Sequence, residues 1–232
     1  MLEQLFLNQV LGPLGLTNFL RHAIHWGVAQ GYSLDLLILI LLLPLALTCV
    51  AIVRYLIGLQ GLGLFPPLIM AVAFLKIGLW PGLLLFLIVL LAEILMILLF
   101  RKLKIHFMAK MALVLLPVCL LIFLLLILAA RFNFQSVFNS STVAILVLLL
   151  TGENLAEIQL RKSFKKGLRA MLETFLLAAL AFWVLRSLTF QKLMLLSPEA
   201  LLFLTVAIDL WIGHFTGLRL LEYHRFRKLL KK

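Results

Sequence analysis

Cysteine is nearly missing from this chain: there are two in 232 residues, Cys49 and Cys119, both inside apolar runs. That excludes a disulfide scaffold and any Cys-rich metal centre. Thiols so placed are small packing groups and say nothing about redox compartment. Acid is scarce as well, with 9 Asp and Glu against 21 Lys and Arg and a net charge of +12. Charged residues of any sign make up only 13%, while 65% are hydrophobic, well above the roughly 45–50% apolar usage of a soluble domain. A basic balance can signal nucleic acid, but that needs a folded soluble face, and here the charge sits in short gaps between long apolar runs. No HExxH, Cys cluster or other metal-ligand spacing occurs, and no Ser, His and Asp arrangement stands out for nucleophilic catalysis. The expectation is an all-α polytopic membrane protein without cofactor or metal.

At about 20 apolar residues per span, a chain of this length holds at most about seven or eight crossings. Residues 1–33 lack the basic start and compact apolar core of a cleaved signal peptide and read as an extracytoplasmic or interfacial segment. Leu36 to Val53 is the first clean span, opened by Ser33 and Asp35, closed by Arg54, and expected to kink at Pro44. Leu56 to Leu75 is broken by Gly58, Gly61, Gly63, Pro66 and Pro67, so only the part after Pro67 reads as regular helix. Pro81 to Phe100, anchored by Trp80, and Met108 to Ala130 are full spans. Ser136 to Gly152 repeats the broken pattern, opening on Asn139, Ser140, Ser141 and Thr142. Glu153 to Arg169 reads as a basic amphipathic surface segment. Met171 to Leu185 and Leu201 to Ile212, with their flanks, complete the set, and residues 219–232 form a basic tail.

Charge placement decides whether the two broken runs cross. If all seven runs cross with the N-terminus outside, 16 of the 21 Lys and Arg face the cytoplasm: Arg54 and clusters at residues 101–110, 161–169 and 219–232. Only Arg21, Lys76, Arg131, Arg186 and Lys192 fall outside. If the broken runs are re-entrant, the first two clusters land on opposite faces, against the positive-inside rule. The reading is therefore seven spans over residues 34–218, N-terminus out and C-terminus in.

Seven spans divide into two triplets, each strong, broken, strong, plus one extra. Three is odd, so the second triplet enters from the opposite face and the repeat is inverted. In membrane proteins of that build, interrupted segments at matching places point to a binding site near the midplane. Helices starting after Pro67 and near Ser141 would turn two N-termini inward from opposite faces, with backbone N–H groups and partial positive charge. An anion suits such a pair, with Gly63, Pro67, Asn139, Ser140, Ser141 and Thr142 as its candidate contacts. The bland alternative, a first-turn proline and an ordinary cap, is equally compatible with these residues. Ionisable residues at bilayer depth are functional candidates by default, which brings in Arg54, Glu93 and Glu153. Glu93 is as readily a structural hydrogen-bond partner, and Glu153 a solvated helix end. Asp209 and His214 do not share a helix face well enough to form a dyad. The glycines at 58, 61 and 63 lack the strand and the Gly-Lys-Ser of a phosphate loop, and His22 with His25, beside Trp26, suits interfacial packing better than metal.

The stretch RYLIGLQGLGLFPPLIMAVAF resembles the signature of a bacterial seven-transmembrane family usually fused to an inactive transglutaminase-like domain, here on Arg54, Gly58, Gly63, Pro67, Ala73 and Phe74. The ending GHFTGLRLLEYHRF is similar too, on Gly213, Thr216, Gly217, Arg219, Leu220, Glu222, Arg225 and Phe226, and Glu153 falls where the family tends to carry a Glu. Leu62 and His214 depart from the Phe and Arg often found there, and with about 33 residues ahead of the first span the expectation is a member without the transglutaminase-like domain. The broken segment also resembles that of the membrane subunit of poly-γ-glutamate capsule synthesis. The family is commonly encoded beside an ATP-grasp ligase and a retropepsin-like protease. The resemblance implies a non-catalytic inner-membrane scaffold or conduit for a system that makes, modifies or exports an acidic peptide or polymer. Secondary transport of a small anion is the alternative.

Overall fold

The computed structural model describes residues 15, 18–59, 61, 63–100, 106–131 and 164–214. Among them every regular element is helical: α1 (Phe19–Ala29), α2 (Leu34–Ile52), a π-helical turn (Val53–Ile57), α3 (Phe65–Ile77), α4 (Leu79–Phe100), α5 (Phe107–Arg131), α6 (Phe164–Arg186), α7 (Leu188–Leu196) and α8 (Pro198–Gly213). Among the described residues two stretches suffice by length and apolarity to cross a bilayer, Leu34–Ile57 and Leu79–Phe100. The bent pair Arg169–Arg186 and Leu188–Leu196, which turns by 53°, makes a third where the two helices are taken as one span. The second broken run, the candidates Asn139, Ser140, Ser141, Thr142 and Glu153, and the ending with Thr216, Gly217, Arg219, Glu222 and Arg225 lie outside the described residues.

The chain divides into two compact units, residues 1–59 with 183–232 and residues 60–182. In the first, α2 packs against α8, α7 and α1. Its buried residues Leu34, Ile38, Leu42, Ala46 and Val50 recur every four positions, the spacing that stacks side chains along one helical face. Helix α2 runs on through Pro44, and the change of winding comes later, at the π turn. The acid of Glu199, in the first turn of α8, accepts the N–H groups of Leu20 (2.8 Å) and Arg21 (3.3 Å) at the start of α1. Farther along, the Thr48 hydroxyl donates to Asp209 Oδ2 at 3.0 Å.

These contacts set the direction of α8 along α2. A Cβ on Gly27 would meet Leu37 Cδ1 at 3.1 Å, so α1 crosses α2 near Leu37, and Leu20 lies about 10 Å along α1 from that crossing. Glu199 is bonded to Leu20. Asp209 follows Glu199 by about 15 Å of helix. If the two helices are parallel, the Thr48 bond brings Glu199 level with Ile38, beside the crossing. If they were antiparallel, Glu199 would stand about 30 Å farther along α2, out of reach of Leu20. The helices are parallel.

In the second unit α4 packs against both α3 and α5. Phe74 is fully buried at its centre, edge-on to Phe175 with ring centroids 6.5 Å apart. Gly82, in the first turn of α4, admits it: a Cβ there would sit 2.5 Å from Phe74 Cδ1. Gly78, at φ +99°, makes the reversal between α3 and α4 and closes α3 by donating to the Phe74 carbonyl at 2.8 Å.

Candidate functional site

The first broken segment is the part of the expected site that falls within the described residues. In the first unit it opens on the π turn, whose wider winding is often found at functional positions. That turn carries Arg54 and ends at Gly58, which takes φ +96° and donates its N–H to the Arg54 carbonyl at 3.1 Å. Left-handed φ is easy for glycine and strained for other residues. Arg54 itself is half-buried. Its Nη1 is buried with no hydrogen-bond partner among the described residues.

In the second unit the break passes Gly61 (φ +37°) and Gly63 (φ +131°) before α3 begins. Helix α3 starts at Phe65, so Pro66 and Pro67 lie inside its first turn, not ahead of the helix as read from the sequence. This changes the donor count that the anion argument used. The first four N–H groups of a helix lack internal partners, but proline has none to offer. Two of the four at this end are therefore missing, and α3 presents fewer free donors than an ordinary N-terminus. Pro67 itself is buried.

One backbone donor of the break already has its anion. Gly61 N–H donates to Glu173 Oε2 at 3.1 Å, and Arg169 Nε donates to Glu173 Oε1 at 2.7 Å. The Glu173 side chain is 9% exposed and that of Arg169 72%, so the acid is held inside while the guanidinium reaches out. Thr174, with its hydroxyl bonded to the Ala170 carbonyl at 2.7 Å, and Leu177 lie 3.3 Å from where a Cβ on Gly61 would stand. Glu173 thus latches the irregular segment onto α6. Sequence reasoning missed it, although an acid four residues after an Arg inside an otherwise apolar run was the available signal.

The other candidates are dispersed. Glu93 is buried in α4 at 3% exposure. Asp209 accepts from Thr48, while His214 Nδ1 bonds the Leu210 carbonyl of its own helix at 2.8 Å, so the two have separate partners. On α1, burial first and His22 second hold the His25 imidazole below its ordinary pKa, which favours its neutral form. Among the described residues no three His, Cys, Asp or Glu side chains come together as a metal site.

No curated protein and no solved structure matches this chain. Residues 30–230, nearly the whole chain, match the family described as 7 transmembrane helices usually fused to an inactive transglutaminase. With that match over its apolar helices, the chain belongs to this seven-transmembrane family and is a multi-pass membrane protein.

Proposed function

We propose that this protein is a non-catalytic inner-membrane scaffold or conduit in a system that synthesises, modifies or exports an acidic peptide or polymer, working with a cytoplasmic ATP-grasp ligase and a retropepsin-like protease. The observation that carries the reading is membership of a family whose membrane module is usually fused to an inactive enzyme domain. Such a module is built to hold or pass something on. Seven crossings in two inverted triplets plus one, with the N-terminus outside, agree with the charge distribution. The parallel course of α2 and α8 supports an odd total, because a first and a last span that are parallel have an odd number of crossings between them. The three basic clusters then form one cytoplasmic face, suited to an acidic partner or product and to anionic lipid, which contributes about 1 kcal/mol per basic residue near the surface.

The anion site of this reading runs from Gly63 and Pro67 toward Asn139, Ser140, Ser141 and Thr142. With two prolines in the first turn of α3 and Gly61 N–H taken by Glu173, its donors on the first side are the N–H groups of Phe65, Leu68 and Gly63. Paired broken segments are also the build of secondary transporters, and transport of a small anion is the second reading. Replacing Arg161, Lys162, Lys165 and Lys166 together by Gln tests the first. The expected result is correct membrane insertion, because the other clusters remain, with loss of ligase co-purification. Unchanged co-purification rejects docking on this face. Gradient-driven uptake of glutamate by the purified chain in liposomes would support transport instead.

A further inference from the structure

We infer that Arg54 holds the phosphate oxyanion of a membrane lipid at the end of the first span. The inference stands apart from the acidic-polymer reading and needs only that Leu34–Ile57 crosses the bilayer. Three observations meet at this residue. The residue is only half-buried, yet its Nη1 has no acceptor among the described residues, so one arm of a permanently charged fork awaits an oxygen. Burying a donor without a partner is unfavourable, and an acceptor from outside the described residues relieves it. Depth identifies the acceptor. Counted from Leu34 at 1.5 Å per residue, Arg54 lies about 30 Å along the span, which is the thickness of the hydrocarbon core. That is the level where lipid phosphates begin. Winding is the third observation: Arg54 lies in the π turn Val53–Ile57, closed by left-handed Gly58, so the backbone leaves regular helix where the headgroups start. Its neighbours Tyr55 and Ile57 are exposed at 42% and 38%, an aromatic and an aliphatic contact for the interface and the upper acyl chain.

A guanidinium presents its N–H groups in a planar fork that matches two phosphate oxygens, whereas an ammonium offers only a point charge. The test uses the full chain in nanodiscs of phosphatidylcholine doped with phosphatidylglycerol, then released into detergent, with lipid retained per chain counted by native mass spectrometry. Wild type should keep a phospholipid through washing. Arg54→Gln should weaken its retention by about tenfold or more, the size expected for losing a charge-assisted bond. Arg54→Lys should fall between the two. Lys76→Gln, at an exposed lysine, should match wild type, and diacylglycerol, which has no phosphate, should not be retained. Equal retention by folded Arg54→Gln overturns the inference, and where that variant fails to fold, retention by Arg54→Lys equal to wild type does the same. Displacement of the lipid by inorganic phosphate or a glutamate peptide at low millimolar concentration would assign the site to a free anion and overturn the headgroup as its source.

Discussion

Asn18 stands at the N-cap of α1, yet its side chain makes no capping bond, and the acceptor comes from Glu199, 179 positions along the chain from Leu20. A carboxylate at a helix start satisfies orphan N–H groups and meets the positive end of the helix dipole. Glu199 does this for α1 while sitting in the first turn of its own helix, α8, so one acid serves two helix starts. Its other oxygen lies 4.0 Å from Arg21 Nε, with the Glu199 side chain 19% exposed, and the backbone bonds matter more than this long pair. Glu199→Ala should therefore destabilise the chain by about 1 kcal/mol, the usual loss on removing a cap, and Glu199→Gln, which keeps an acceptor oxygen, by less. Thermal unfolding in detergent reads the difference. A loss in Glu199→Gln as large as in Glu199→Ala would mean that charge, not the acceptor, holds α1.

At the scale of elements, α3 and α4 meet through a glycine. Phe74 is fully buried and occupies the space that a Cβ on Gly82 would need, so Gly82→Ala must push either the ring or the helix. Overpacking of that kind costs about 1–3 kcal/mol, and a drop in detergent melting temperature without loss of helix signal checks it. A melting temperature equal to wild type would show that Phe74 can give way. The pair also shows what was legible beforehand. Helices α2, α4 and α5 follow directly from apolar runs longer than any soluble core needs. Helix α3 starts at Phe65, ahead of the prolines, because proline is accepted in a first helical turn, the blander of the two readings that Pro67 allows in the sequence. Helix α7 was missed: Gln191 and Lys192 interrupt its apolar run, and only Ser197 separates it from α8. Gln191 Nε2 instead turns back to the Leu185 carbonyl at 2.9 Å, bonding an acceptor in the last turn of α6. Glu173 and Thr48 were passed over because their roles depend on which helices meet, and helix pairing is not written in periodicity.

For the molecule as a whole, direction in the membrane is the property on which every functional reading depends. Two independent features bear on it: the one-sided placement of Lys and Arg, which concerns the whole chain, and the parallel course of α2 and α8, which rests on Glu199 at one end and the Thr48–Asp209 bond farther along. They share no residue other than Arg21, so agreement between them is informative. Both place the residues just ahead of the two helices, Ser33 and Ser197, on the same face, and the charge count puts that face outside. Single cysteines at Ser33 and Ser197, in a background without Cys49 and Cys119, should both react with an impermeant thiol reagent in intact cells, while cysteines at Lys104 and Lys165 should react only after the membrane is opened. Labelling of Ser33 without Ser197 would break the parallel pair and with it the odd number of crossings. Labelling of Lys104 but not Lys165 would leave the pair intact and make both broken runs re-entrant. Protection of both serines with labelling of both lysines would keep the architecture and invert it, moving the basic face away from any cytoplasmic ligase.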